Sequence, residues 1–424
     1  MANKRASGSN AAMLIQFEKN AGEQQTDTST VYKLRGLTAG ESLTKTITLN
    51  KSNEIIGFKG TKTGTNAEIT TGGSVPLEFS ATDFSQEMLV FAGTGELTQE
   101  KITWNGKSKF KKTYRRKSGF KPLTIEKQFN DIKEYIRFTG LMVNSFQIQV
   151  QATGLATISF DMMGVDANES KVSYAPNPVN QKHTTIAGKD GLRIDINGNS
   201  DRCISAIDLT INNDLTAQRC IGPATATGYG EDLGSVTGSY TGYFENLDEW
   251  LVIQEATIFE IKYRFYNTND NYVEIFLPSV QYDGSFNPNI DSSTTLEPQV
   301  AYSGNFDEVE LTDIVITYVN DNDMQTLYNN SIQKVDITSL TFDPTTADVD
   351  VGAELALNLV VVPSSVGDND DDIKVVSLNE DIATVYFKNG QWTVRGEAEG
   401  VVKIKASSTK FPLVTAEIEI TVTI

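Results

Sequence analysis

Residues 123–164 read LTIEKQFNDIKEYIRFTGLMVNSFQIQVQATGLATISFDMMG. The middle of this stretch alternates: Phe146, Ile148, Val150 and Ala152 fall on one side, and Gln147, Gln149 and Gln151 on the other. Successive side chains of a strand point to opposite faces, so the run predicts a strand with one face on a core. Thr153-Gly154 supplies a turn. The return run then puts Ala156, Ile158 and Phe160 inward and Thr157, Ser159 and Asp161 outward. That outward face is polar but almost uncharged, which is unusual for a strand that merely meets solvent.

The totals bound what can be built around this hairpin. At 424 residues the chain has room for about three domains of roughly 100–200 residues each. Hydrophobic residues make up 39%, enough for real cores. No apolar run approaches the roughly 18–20 residues of a spanning helix. The opening MANKRASGSNAAML lacks an apolar signal-peptide region, so the chain is expected to stay in a cytoplasm. Cys203 and Cys220 are expected there as two small buried thiols. The net charge of −19 argues against gripping nucleic acid, because that affinity comes from Lys and Arg displacing phosphate counterions.

Motifs that could carry chemistry fall short. A single histidine, His183, leaves little room for histidine-based catalysis or a multi-histidine metal site. Gly106-Lys107-Ser108 resembles the end of a phosphate loop, but Lys101 stands where its first glycine belongs. Gly228 and Gly230 with Gly234 miss the dinucleotide spacing by one residue. Asp368, Asp370 and Asp372 open like a calcium loop, yet Ile373 occupies the glycine position and no closing Glu follows. No catalytic residue, cofactor or metal ligand is expected.

Along the chain, residues 1–29 read as a mobile arm with one ordered patch from Ala11 to Phe17. Strands are predicted at Thr30–Leu34 and Leu43–Leu49, turning through Thr38-Ala39-Gly40, and a Gly/Thr/Asn-rich loop spans 50–74. A strand to Phe79 precedes a short helix capped by Asp83, with Gln86 completing a capping box and Gly93 as its end. Residues 95–121 are strongly basic in an acidic chain: Lys101, Lys107, Lys109, Lys111, Lys112, Arg115, Arg116, Lys117 and Lys121, interleaved with Trp104, Phe110 and Tyr114. Asn105-Gly106 is a two-residue hairpin turn. A solvated β-arm and a DNA contact both fit. A basic arm reaching an acidic surface on a neighbouring copy is the preferred expectation, since opposite charge registers assembly.

The second half repeats the first. TITLNK (Thr46–Lys51) aligns with AIDLTI (Ala206–Ile211), and Gly73-Ser74-Val75 with Gly234-Ser235-Val236. A helix at Glu87–Phe91 matches one at Glu249–Ile253, capped by Asn246. An alternating strand follows each, Leu123–Phe129 and Phe259–Phe265, and the second copy lacks the basic insertion. This order argues for duplication, joined by the Pro/Asn/Ser-rich stretch Asp166–Gly191. Tyr302–Tyr318 closes the second copy, and Asn320–Asn330 reads as a polar linker. Short alternating strands after it predict a β-sandwich.

Two resemblances sharpen this outline. LTIEKQF, YIRFTGLMVNSFQIQV and ATISFDMMG, in that order, resemble the tail tube (major tail) proteins of long-tailed bacteriophages, whose runs T-x-E-x-x-F…F-T-G-x-x-V-N-S and G-x-x-T-x-S-F-D-x-x-G they follow. Val351-Gly352, Val362-Pro363, SLNEDIATV (Ser377–Val385), Gly390 and EGVVKIKA (Glu399–Ala406) resemble a group-2 bacterial immunoglobulin-like domain. It departs from that pattern in the acidic insertion Gly367–Asp372 and in Val376, where a tryptophan is usual.

The resemblances imply a mainly β chain: two tandem tail-tube β-sandwich or barrel domains, residues 1–165 and 166–330, each with one short helix, then an Ig-like β-sandwich at 331–424. They imply a virion protein, assembled in the host cytoplasm, whose copies stack as rings into the conduit for genome ejection. Two tube domains per chain imply a trimer imitating a hexamer. The implied partners are further copies, the tape measure, the tail initiator and terminator proteins, and viral DNA that passes without tight binding. Gln147, Gln149 and Gln151 are expected either on the lumen or on the outside. The segment with Lys101, Trp104, Lys107, Lys109, Lys111, Lys112, Arg115, Arg116 and Lys117 is expected to join ring to ring. From Lys334 onward there are 7 basic and 15 acidic residues, which suits an outward decoration that touches host surface glycans. A secreted bacterial adhesin with an Ig-like domain and a tube protein of a contractile tail stay open as alternatives.

Overall fold

A computed structural model describes residues 5–23, 28–36, 40–51, 63–181, 183–188, 193–196, 198, 203–244, 252, 254–268, 270–284, 296–332, 339–362, 373–388, 391–408 and 414–424. The protein forms two compact units, residues 1–332 and 333–424. Of the expectations above, the helix at 249–253 with its Asn246 cap falls almost wholly outside the described residues, and Asp368, Asp370 and Asp372 lie outside them entirely.

In the larger unit the first half runs β1 (Ala11–Phe17), β2 (Tyr32–Leu34), β3 (Thr44–Asn50), β4 (Thr65–Glu78), α1 (Phe84–Thr94), β5 (Gly95–Trp104), β6 (Lys107–Arg116), β7 (Leu123–Phe129), β8 (Glu134–Gln151), β9 (Thr157–Gly164) and β10 (Asp166–Ser170). The second half continues with β11 (Arg193–Ile196), β12 (Ile204–Asn212), β13 (Leu215–Gln218), β14 (Gly228–Glu231), β15 (Ser235–Gly242), β16 (Phe259–Thr268), β17 (Asn271–Asp283), β18 (Gln299–Gly304), β19 (Val315–Asn320) and α2 (Met324–Ile332). Ladders in the first half connect β1–β7–β8–β9–β4–β3, with β10 also on β8. The second half connects β11–β16–β17–β18–β15–β12, with β19 also on β17. Each of these strands therefore has a counterpart, and among the described residues the short β2 on β1 and the hairpin β5–β6 are extra to the first half.

The ladders also correct the expected residue alignment. Gly164 lies opposite Thr71 and Gly304 opposite Val236, which makes Thr71 and Val236 equivalent. Thr44 lies opposite Gly72, and Thr210 opposite Thr237, so Thr44 matches Thr210 rather than lying two residues before the counterpart of Ala206. The slips are even-numbered. An alternating pattern looks the same after a shift of two residues, so apolar periodicity alone cannot detect them.

The expected boundary at 165/166 is bridged. β10 pairs with β8, and β12 of the second half pairs with β8 of the first from Ala206 opposite Gln151 to Asn212 opposite Ser145. One core serves both halves: Phe17, Phe79, Phe91, Tyr114, Phe146, Phe160, Tyr263, Phe265, Tyr302 and Tyr318 are all buried in it. Phe79 and Phe265, one from each half, meet edge to face with centroids 5.5 Å apart. The N-terminal patch is no loose segment, because Leu14, Ile15 and Phe17 of β1 are fully buried.

Helix α1 is buried all round, as suits a helix enclosed on every side rather than lying on a surface. Asp83 caps it by accepting from the Ser85 and Gln86 amides. Gln86 does not close a capping box; its amide bonds the Ser80 N–H and the Glu78 carbonyl. The end falls two residues beyond Gly93, at Gly95, whose φ of 85° suits glycine. The expected polar linker Asn320–Asn330 is instead the end of β19 and most of α2. Asp323 accepts from the Thr326 amide and hydroxyl, and Met324 and Leu327 are buried. Both cysteines are exposed free thiols rather than buried ones, Cys203 just before β12 and Cys220 just after β13.

The basic hairpin is held inside this unit. β6 lies between β5 and β19, and the Asn105-Gly106 turn has the positive φ values, 46° and 76°, that such a turn needs. Its anchor is the buried Glu87 carboxylate of α1. Lys112 Nζ reaches it at 2.6 Å, the Tyr114 hydroxyl donates at 2.7 Å, and the Asn320 and Asn322 side-chain amides donate at 3.2 and 3.1 Å. Burial pushes the Lys112 ammonium down from its ordinary value, and the Glu87 charge opposes that shift.

The smaller unit comprises β20 (Ser339–Phe342), β21 (Thr346–Asp350), β22 (Glu354–Leu357), β23 (Leu359–Val362), β24 (Ile373–Ser377), β25 (Ala383–Lys388), β26 (Gln391–Gly396), β27 (Gly400–Ser408) and β28 (Thr415–Thr423). A four-stranded sheet β21–β28–β27–β24 and a three-stranded sheet β22–β26–β25 enclose Val394, Ile404, Ile418 and Ile420. Trp392, on the second sheet, packs against this core, so an indole is present although Val376 is not one.

Glu87→Leu leaves Lys112, Tyr114 and two asparagines without their shared acceptor. It should cost the larger unit roughly 3–5 kcal/mol, read as a lowered urea midpoint. Transitions of the smaller unit should stay unchanged, which tryptophan and far-UV probes on each unit can separate.

Candidate functional site

The ladder β4–β9–β8–β12–β15–β18 runs through both halves without interruption and presents one outward face. Burial alternates along β8 as expected: Phe146, Ile148 and Val150 are buried, while Gln147, Gln149 and Gln151 point away. Ala152 lies beyond the strand end and is exposed. Gln147 sits between Ser159 and Thr210, and Gln149 between Thr157 and Asp208. Asp208 continues to Ser239 and Ala301, and Thr210 to Thr237 and Ser303.

Hydrogen bonds tie this face together across strands. Gln147 Nε2 donates to both Asp208 oxygens at 2.9 Å, and Gln149 Nε2 donates to one of them at 2.8 Å. Ser74 and Ser159 hydroxyls meet at 2.8 Å, and Gln299 Nε2 donates to Ser239 Oγ at 2.8 Å. The charges at these ladder positions are carboxylates: Glu78, Asp161, Asp208 and Asp283. No lysine or arginine shares those positions. Amides and hydroxyls with a few acids form a hydrated surface with nothing to attract a phosphate backbone.

The residues of the sequence motifs hold the frame behind this face. Glu126 is buried and accepts from Arg137, Gln128 and Ser173. Gly140, at φ 64°, donates its N–H to the buried Glu18. Asn144 lies at the joint between halves: its carbonyl accepts from the Asn213 N–H at 2.7 Å, and its side chain from the Leu215 N–H at 2.9 Å. Asn213 in turn donates its side-chain amide to the carbonyls of Gly93 and Val143. Sequence reasoning missed Asp208, Asn213 and Glu87, whose partners are distant in the chain.

The basic residues are brought together, but as ion pairs within the chain rather than as a free arm. Lys107 pairs with Asp270, Lys109 with Asp321, Lys111 with Glu100, Lys112 with Glu87, Arg115 with Glu310, Arg116 with Asp313 and Lys117 with Glu96. Trp104 packs on Tyr272, centroids 5.1 Å apart. Lys101 is exposed and has no acidic partner among the described residues. Four of these acids, Asp270, Glu310, Asp313 and Asp321, are far away in sequence, which is why the segment's charge looks unbalanced there.

Comparison with protein families agrees with this architecture. The family model of the phage tail tube protein matches residues 8–307, and that of the bacterial Ig-like domain (group 2) matches residues 336–418. No curated protein matches the chain. The continuous polar sheet, its two like halves and the appended sandwich thus belong to a structural protein of the virion, and the chain is a member of the phage tail tube protein family carrying a C-terminal group-2 Ig-like domain.

Proposed function

We propose that copies of this protein assemble into rings that stack as the tail tube, with the face bearing Gln147, Gln149 and Gln151 toward the lumen. The observation that carries this reading is the single sheet crossing both halves, whose outward ladder positions hold amides, hydroxyls, acids and small residues and no lysine or arginine. A DNA duplex sliding past such a wall keeps its counterions, so the conduit works passively. The matching strand order of the halves supports an internal duplication at the expected domains 1–165 and 166–330, fused through shared ladders. Three chains then supply six like sectors. Assembly takes place in the host cytoplasm on an initiator, around a tape measure, and ends with a terminator.

The hairpin tip is the part of the basic segment left to act between rings. Lys101 and Lys107 are exposed near the end of β5–β6, Lys107 beside Asp270, while Lys109, Lys112, Arg115 and Arg116 are held by acids within the unit. The Ig-like unit decorates the outside, where its net negative charge keeps it soluble and host surface glycans are its expected contact.

Electron microscopy of the concentrated protein tests the reading: hollow tubes of even width with threefold rings are expected, and dispersed monomers under every condition, with or without native tail initiator, would overturn it. Removal of residues 333–424 should leave tubes intact but smooth. Lys101→Glu with Lys107→Glu should permit rings and shorten stacks, visible as free rings in the same images. Gln151→Lys with Thr237→Lys should leave tubes formed but make them retain duplex DNA at low salt and release it as salt rises, measured by co-sedimentation.

A further inference from the structure

An amine, a carboxylate and a carboxamide meet in the core of the larger unit: Lys112 of β6, Glu87 of α1 and Asn320 at the end of β19. Their exposures are 0%, 0% and 1%. β6 and β19 pair with Lys112 opposite Tyr318, so Asn320 lies diagonally across the ladder from Lys112 on the same face. Lys112 Nζ donates to Asn320 Oδ1 at 2.5 Å. The carboxamide carbon, about 1.23 Å from that oxygen, is therefore at most about 3.7 Å from the amine nitrogen. That is close to the separation from which a held nucleophile attacks.

The Glu87 carboxylate spans the two groups. Its Oε1 lies 2.6 Å from Lys112 Nζ, and its Oε2 accepts from Asn320 Nδ2 at 3.2 Å. The Tyr114 hydroxyl and the Asn322 side-chain amide fix these two oxygens, donating at 2.7 and 3.1 Å. The Asn320 carboxamide is also held at both ends. Its Nδ2 donates to the Ala81 carbonyl at 2.8 Å, and its Oδ1 accepts from the Asn322 N–H at 2.9 Å. A backbone N–H aimed at a carbonyl oxygen stabilises the negative charge that attack on the carbon would place there. Burial pushes the Lys112 ammonium below its ordinary value, which favours the neutral, nucleophilic amine, and the Glu87 charge opposes that shift. Passing one proton from Lys112 to Glu87 removes both charges from a place without water.

We propose that Lys112 and Asn320 join in an isopeptide bond, which the folded chain forms on itself with Glu87 as the proton carrier. Lys112 Nζ gives one proton to Glu87 and attacks Asn320 Cγ with the freed lone pair. The Nζ–Cγ bond forms, and the carbonyl electron pair moves onto Oδ1, beside the Asn322 N–H. Glu87 hands its proton to Nδ2 and takes another from Nζ. The pair on Oδ1 returns, the Cγ–Nδ2 bond breaks, and ammonia leaves with the electrons of that bond. An ammonium, a carboxylate and a primary amide thus become a secondary amide, a carboxylic acid and one ammonia, with nothing else consumed. The bond ties two positions 208 residues apart, one in each half, and makes the clamp between the halves covalent. It forms within a single chain, so it stands apart from the tube reading.

Mass spectrometry of the full-length chain, purified and then denatured, tests this directly. Wild type is expected to be lighter than its sequence by one ammonia, and proteolysis should release a branched peptide joining Lys112 to Asn320. Glu87→Gln keeps the size of the side chain and removes the proton carrier. Its mass should match its own sequence, as should that of Lys112→Met, and in both the two peptides should come apart. The wild-type mass is decisive by itself, whether or not the variants fold. A wild-type chain at full sequence mass after prolonged warming would overturn the bond. The same holds for an ammonia loss whose Lys112 and Asn320 peptides separate, and for loss of water instead, which would put the link on Glu87. A linked Glu87→Gln chain would overturn the role given to Glu87.

Discussion

The antiparallel ladder between β12 and β8 is the constraint on which the larger unit depends. It converts two like sheets into one by satisfying backbone donors and acceptors that each half would otherwise leave at an edge. Because strand pairing fixes the faces as well as the edges, it brings Gln147 and Gln149 onto the same side as Asp208. A slip of one residue would turn Ile207, Leu209 and Ile211 outward and the polar row inward. The register is therefore held from behind by burial of those three apolar side chains, and at its end by Asn213 and Asn144.

Charge plays a different part at the other contact between the halves. β6 meets β19 through a basic strand, and every basic residue from Arg115 to Lys117 finds an acid. At its centre Lys112 and Glu87 are wholly buried, an arrangement that hydrophobic residues of similar volume would often equal or exceed in stability. What the pair adds is selectivity of placement: a buried ammonium tolerates one position relative to the carboxylate, and Asn320 at the end of β19 and Asn322 just after it complete it. The hairpin is thus a clamp of the first half on the last strand of the second.

The sequence made the strand faces legible and left the strand partners obscure. Alternation identified Phe146, Ile148, Val150, Ile158 and Phe160 as core residues, and all five are buried. The Asn105-Gly106 turn and the Asp83 cap were visible because they depend on neighbours along the chain. Lys112 looked like one more surface cation because its partner Glu87 lies on another element. α2 was hidden by its polar composition: only Met324, Leu327 and Ser331 are buried in it, too few apolar positions to announce a helix. The cysteines read as core thiols from composition, yet they sit beside strand ends where solvent reaches them.

The two halves share a strand order and differ most at their edges. Where β12 joins β8, one side of the strand, Ile207, Leu209 and Ile211, is buried as a core, and Asn213 is buried at the end of the joint. The corresponding edge at β3 has no second ladder among the described residues and carries half-exposed Ile47 and Leu49 set among threonines. β-Branched, uncharged side chains favour extension and add little cost to desolvation, while the absence of a long apolar run limits pairing with unrelated chains.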